Sequence, residues 1–354
     1  MMNKNEFANY IADNIKNYLP PEYKEAEVQV IDVSKNNDIT LTGLNIRRPE
    51  EEVIPTIYID GMYEKYVTGA ALTDLVSEAA STRIEHDVSN IGKTNPGVGL
   101  MDMLHDYDQA KENLVIFICN TERNQNRLRG TVRRDVGEFS EVYRLCVSFG
   151  DNTGSVAVSP SMLKDWGISV EQLHADAIAA ENKREPYLMT MHSMLDHLMS
   201  GGEPVNMLKE EADPFRDDVF DDYLYVLTTA DKTNGAHLML RDDVLAKAGD
   251  IFGENFYVLP SSVHEVLLTR MSSGGDPQAL NEMVKSINGD GQAMNPVDIL
   301  SDNAYAYDRK SHSLMNTRTG VSIDLRKDGT FIHAFSQPVH EIKTQHKPKK
   351  KQSR

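Results

Sequence analysis

Apolar side chains recur at helical spacing in Phe7, Ile11, Ile15 and Tyr18, which predicts an amphipathic helix over 4–19 closed by Pro20-Pro21. The period then changes. Val28, Val30 and Val33, followed by Ile39, Leu41, Leu44 and Ile46, flank a polar tetrad at 35–38 and predict a β-hairpin. A short strand at 57–59 leads into a helical stretch from Tyr63, and Leu72, Leu75, Val76, Ala79 and Ile84 share one face of a helix over 70–85.

The continuous run LVIFIC at 114–119 fits a strand buried on both faces. Segments 142–149 and 155–159 flank a Gly/Asp/Asn turn, Ser159-Pro160 opens a helix that Gly167 closes, and Ser169 with Gln172 forms a capping box. Leu188, Met191, Leu195 and Leu198 predict one more helix, stopped by Gly201-Gly202. A second hairpin is expected from 223–228 and 236–240 around Asn234-Gly235, with a helix from Asp242 to about Ala248. Strands follow at 256–259 and 265–269. Asp276-Pro277 then opens a helix carrying Leu280, Met283, Val284 and Ile287, and strands at 304–308, 313–317, 321–325 and 330–335 finish the chain, the last two joined through 327–329.

Segments 143–167 and 223–249 both read strand, turn, strand, helix, glycine. They are a candidate duplicated ββα unit, against which stands chance recurrence of a common arrangement. Helices and strands mix without regular βαβα alternation. The expected class is α+β, with mainly antiparallel sheets and flanking helices.

At 354 residues, 40% hydrophobic and 26% charged, the chain is long enough for two domains and apolar enough to bury a core. The acid-rich stretch 203–222 is the expected linker, dividing an N-terminal α+β domain (1–202) from a C-terminal one (223–340), with a disordered basic tail at 341–354. The net charge is −17, and the last twelve residues carry six bases and no acid, so taking those six off leaves −23 for the rest. Such a body repels a phosphate backbone, leaving weak nucleic-acid contact to the tail alone. No apolar run is long enough for a membrane helix and no secretory h-region opens the chain, so a soluble cytoplasmic protein without membrane contact is expected. Cys119 and Cys146 lie in apolar runs and read as core thiols.

Signature motifs fail one at a time. The phosphate-loop ending at 91–94 would need its first glycine at Asp87, and Gly97-Val-Gly99 would need a third glycine at Asp102. His264-Glu265 would need a second histidine at Leu268 for a zincin. His192 and His197 are five apart, which does not stack two ligands on a helix, and Asp102, His105, Asp106 and Asp108 read equally as a hard-ion cluster or a polar helix end. Asp217, Asp218, Asp221 and Asp222 lack the alternation and glycine of a calcium loop. No cofactor or metal is therefore expected. The run PSSVHE at 260–265, between two apolar strands, is where hydroxyl, imidazole and carboxylate could converge, making Ser262, His264 and Glu265 the candidate catalytic residues; the competing reading is a sharp β connection.

The segments PTIYIDGMYEKYVTG (55–69), LTTADKTNGAHLML (227–240), YVLPSSVHEVLL (257–268) and ILSDNAYAYD (299–308) together resemble an uncharacterised bacterial family, domain of unknown function five-six-eight-eight, frequent in gut Clostridia. The resemblance runs from 19–28 to about residue 315. It implies a cytosolic bacterial origin and brings no reaction or ligand with it. With no intact catalytic signature, the expected function is a non-catalytic binding or interaction module for a protein or small molecule. The alternatives are a hydrolase with its site near 261–265, and a mobile-element protein touching nucleic acid through its tail.

Overall fold

The computed structural model describes residues 1–49, 51, 54–87, 104–149, 152–209, 223–273, 275–291, 293–327 and 329–332. Three antiparallel sheets with flanking helices make it α+β. The first sheet is the expected hairpin, β1 (Glu27–Ser34) against β2 (Thr40–Arg47) from Glu27↔Arg47 to Ser34↔Thr40, with β3 (Thr56–Tyr58) added on β2. Helix α1 (Lys4–Asn14) starts at Asn3, whose side chain accepts the Glu6 amide in a capping box. With α2 (Asp60–Val67) and α3 (Leu72–Glu85) it shares a core of Phe7, Ile11, Leu44, Ile46, Leu75 and Val76. Each such side chain removed from water contributes roughly 1.5–3 kcal/mol. Two stripe residues do not join it: Tyr18 is 41% and Ile84 42% exposed, and the neighbour of Ile84, Arg83, is the one fully buried.

In the second sheet β4 (Leu114–Asn120) pairs with β6 (Phe139–Phe149), whose other edge takes β5 (Arg133–Val136) along 139–142 and then β7 (Asn152–Ala157) along 144–149. Helix α4 (Tyr107–Ala110) precedes it. Helix α5 (Pro160–Trp166) has Ser159 as N-cap and a left-handed Gly167 as C-cap, and α6 (Val170–Lys183) is capped by Ser169. Leu173 and Ala177 of α6 pack on Leu114, Ile116, Tyr143 and Leu145.

The third sheet has seven strands: β8 (Pro186–Thr190), β9 (Tyr225–Thr229), β10 (Phe256–Leu259), β11 (Val266–Arg270), β12 (Tyr305–Asp308), β13 (Ser313–Asn316) and β14 (Ser322–Asp324). Their order is β14-β13-β12-β10-β11-β9-β8. Tyr225, Phe256, Val258, Tyr305 and Tyr307 face a core shared with α8 (Asp242–Phe252) and with Ile118, Val136 and Phe139 of the second sheet. Tyr257, Leu259 and Ala306 face α9 (Pro277–Gly289) through Leu280 and Val284. Both faces are covered, so β9 and β10 are buried at every position.

Two expected elements change identity and a third changes partner. Residues 186–190 form a strand, and the helix α7 (Met191–Ser200) that follows buries none of its residues, with Leu195, Leu198 and Met199 exposed. The expected strand at 236–240 belongs to a 3-10 helix, Gly235–Leu240: Lys232 and Asn234 are left-handed, Gly235 Nα donates to His264 O, and all six residues of the helix are buried, which a one-sided strand cannot achieve. The 223–249 unit is therefore strand, 3-10 helix, helix, unlike the ββα of 143–167. Finally β15 (Thr330–Ile332) pairs with β5 rather than with β14.

Segments on either side of 203–222 share a sheet and a core: β8 pairs with β9, and Ile118 packs with Tyr225 and Val266. The tail, residues 210–222 and the motifs at 91–94 and 97–102 lie outside the described residues. Among the described residues, no helix is long and apolar enough to cross a membrane.

Candidate functional site

After β10 the chain turns at Pro260 and is stitched to a second loop: Val263 Nα donates to Asp298 O, Leu300 Nα to Ser261 O and Ser301 Nα to Pro260 O. Ser262 is 3% exposed, and its hydroxyl accepts the His264 amide at 2.9 Å, closing a serine turn. The same hydroxyl bonds the Glu265 carboxylate, tempering the upward push that burial gives this acid. His264 sends its imidazole elsewhere. Nδ1 accepts the Asn234 amide at 3.3 Å and Nε2 faces Asp298 Oδ1 at 3.5 Å, a bond that raises the imidazole pKa.

The structure thus brings Ser262, His264 and Glu265 together, but not as nucleophile, base and orienter. Asp298, from another segment, orients the ring. The ring nitrogen that would face a nucleophile is taken by a backbone amide, while the hydroxyl is engaged by its own turn. No sequence signal joins Asp298 to His264, since they are 34 positions apart and meet only through the paired loops.

Behind this junction runs a buried polar line. The left-handed Asn234 accepts His237 Nδ1 at its carbonyl (2.9 Å), and His237 Nε2 points at Glu181 Oε2, 3.8 Å away, with both side chains shut from solvent. Glu181 accepts the Ile116 amide and Arg184, and Arg184 forks onto Asp231. Burial favours protonation of Asp231, but the Arg184 and Thr229 bonds outweigh it and hold its pKa down. These groups tie α6 and the second sheet to the third.

The remaining candidates resolve locally. Asp106 caps α4 by accepting the Asp108 amide, His192 meets Asp196, and His197 meets Gly202 O. Among the described residues no three His, Cys, Asp or Glu side chains are grouped to hold a metal. Both cysteines are free thiols; burial pushes Cys119 up to about 12 and raises Cys146.

A cavity of about 520 Å³ opens at the end of α8, lined by Asp250, Glu254, Asn255, Arg309, Lys310 and His312 among others. The β12–β13 turn builds its wall: Asp308 accepts the Lys310 and Ser311 amides, and His312 sits at φ 53. His312 Nδ1 holds Asp242 at 2.7 Å, and Arg309 holds Asp250 at 2.7 Å. No carboxylate among the described residues pairs with the Lys310 ammonium. Sequence reasoning passed over this site because its residues carry no motif and come from two distant turns.

Residues 4–309 match the family of unknown function DUF5688. The chain belongs to that family. No curated protein and no solved structure matched it. The DUF5688 region holds the whole line from Asp298 to Asp231 and ends at Arg309, with Lys310 and His312 just beyond it.

Proposed function

We propose that this DUF5688 protein is a non-catalytic binding module of the bacterial cytoplasm that holds a small ionised molecule beside α8. The observation carrying this is the cavity: its volume suits a small ligand. Its wall presents both charge signs, and among the described residues the Lys310 ammonium meets no carboxylate and His312 is engaged through one ring nitrogen. A zwitterion such as an amino acid would meet the cationic end with its carboxylate and Asp250 or Glu254 with its ammonium, whereas a short dicarboxylate would engage the cationic end alone. The commitments of Ser262 and His264 support binding rather than hydrolysis.

Thermal-shift measurements against amino acids and dicarboxylates at millimolar concentration test this reading. At least one should raise the midpoint, and Lys310→Ala should remove the rise. A flat response to the whole panel sinks the proposal, as does an esterase activity that disappears in Ser262→Ala.

A further inference from the structure

The register Val115↔Arg144 and Phe117↔Val142 places Phe117, Val142, Arg144 and Cys146 on the face of the second sheet turned away from α6. The tip of the first hairpin docks there. Asp38 accepts the Asn126 and Arg127 amides at 2.8 and 2.9 Å, fixing the Arg127 main chain, and the Arg127 guanidinium lies 5.0 Å above the Phe117 ring. Its Nη1, shut from solvent, has no hydrogen-bond partner. Arg144 spends Nε and Nη2 on the neutral Ser155 oxygens. Across the seam Lys35 Nζ sits 4.2 Å over the Tyr58 ring, and Tyr58 is close enough to Arg144 to act on its charge.

Among the described residues none of these three cations pairs with a carboxylate, although the chain carries 54 acids against 37 bases. Three other arginines of this region do meet one: Arg123 with Asp302, Arg133 with Asp135 and Arg134 with Glu141. Burial and the nearby Arg127 charge depress the Arg144 pKa, so the pair is held together against its own repulsion. A guanidinium matches a tetrahedral oxyanion, and one seated at this seam would give Arg127 Nη1 the acceptor it lacks and offset that repulsion.

We propose that Lys35, Arg127 and Arg144 form an oxyanion site at the seam of the first two sheets, one that takes the phosphate group of a small ligand. The site is separate from the α8 cavity and does not depend on it. Calorimetric titration of the full chain with inorganic pyrophosphate and with ADP tests it. Both should bind, more weakly as salt rises. Arg127→Gln and Arg144→Gln should each weaken binding about tenfold or more, and Lys35→Gln, at the loop surface, by less. Without ligand, Arg127→Gln should leave the thermal midpoint unchanged or raise it, because repulsion is removed; a purely structural arginine would lower it. Equal affinities confine recognition to the oxyanion, whereas tighter ADP binding extends it to the organic part; either supports the site. No heat with pyrophosphate or ADP, or variants that bind like the parent chain, would overturn it.

Discussion

Arg83 Nη2 donates to Glu51 Oε1 at 2.6 Å inside the first sheet's core, and both side chains are almost wholly buried. Arg48 reaches the same oxygen at 2.5 Å, and the Tyr23 ring lies against both guanidiniums. Removing one member of a buried pair leaves the other desolvated, so Arg83→Ala should cost about 3–5 kcal/mol in urea denaturation. A loss below about 1 kcal/mol would show that water already screens the pair. Burial tends to raise the Glu51 pKa, but the Arg48 and Arg83 bonds prevail and lower it. A depressed folded pKa stabilises above the unfolded value, near 4.3, and that contribution is lost as pH falls through the folded one. The stability gap between the parent chain and Glu51→Gln should therefore close in acid.

Asn37 holds three loops from one left-handed position, φ 62. Its side-chain amide donates to Pro296 O and Ile299 O, and its backbone amide to Asn124 Oδ1. Asn37→Ala should cost about 2–3 kcal/mol, combining two lost bonds with left-handed strain. Asn37→Gly removes only the bonds and should cost less. Equal losses in chemical denaturation would refute the contribution of strain.

His264 should titrate above the ordinary imidazole value, near 6.5, in an NMR experiment, and Asp298→Asn should bring it down. A raised folded pKa stabilises fully below the unfolded value and loses that contribution as pH climbs through the folded one. Asp298→Asn should accordingly destabilise more at pH 5.5 than at pH 8 (both about one unit or more from the ordinary value). An unshifted His264 signal in the variant would break the link.

The cysteines should separate by access. Cys119 is buried with its thiol pushed up to about 12, whereas Cys146 is half-buried. In the folded chain a neutral maleimide should label Cys146 first and slowly, and Cys119 only after denaturation. Rapid native labelling of Cys119 contradicts the packing of β4.

Gly235 lies against β9, where a Cβ would sit 2.7 Å from both Thr228 Cα and Thr229 Nα. Backbone cannot yield as a side-chain end can, so Gly235→Ala should cost about 1–3 kcal/mol or more. A thermal midpoint equal to that of the parent chain would place Gly235 elsewhere.

Much of this architecture is legible residue by residue. Ser159 with Pro160, Gly167, and Ser169 with Gln172 act within one helical turn, so their capping roles follow from spacing. The 35–38 hairpin is local in the same sense. The run 236–240 misleads because apolar residues alone do not distinguish a strand from a 3-10 helix crossing a sheet, and Leu188 misleads because it falls on the phase of the next helix. Of the candidate site, the turn Ser262–His264 was readable, while Asp298 and Asn234 were not.

By itself, then, the order of residues settled what short-range physics settles, the caps at Ser159, Gly167 and Ser169 and the first hairpin; the α+β class followed from the order of elements, and the family from the likeness of longer segments. Only the packed chain decided that Arg83 turns inward, that β8 joins β9 across the acidic stretch, and that His264 answers to Asp298. Those outcomes depend on which groups lie across a core or a ladder. A side chain's environment is fixed by partners far along the chain, whose approach no local pattern records.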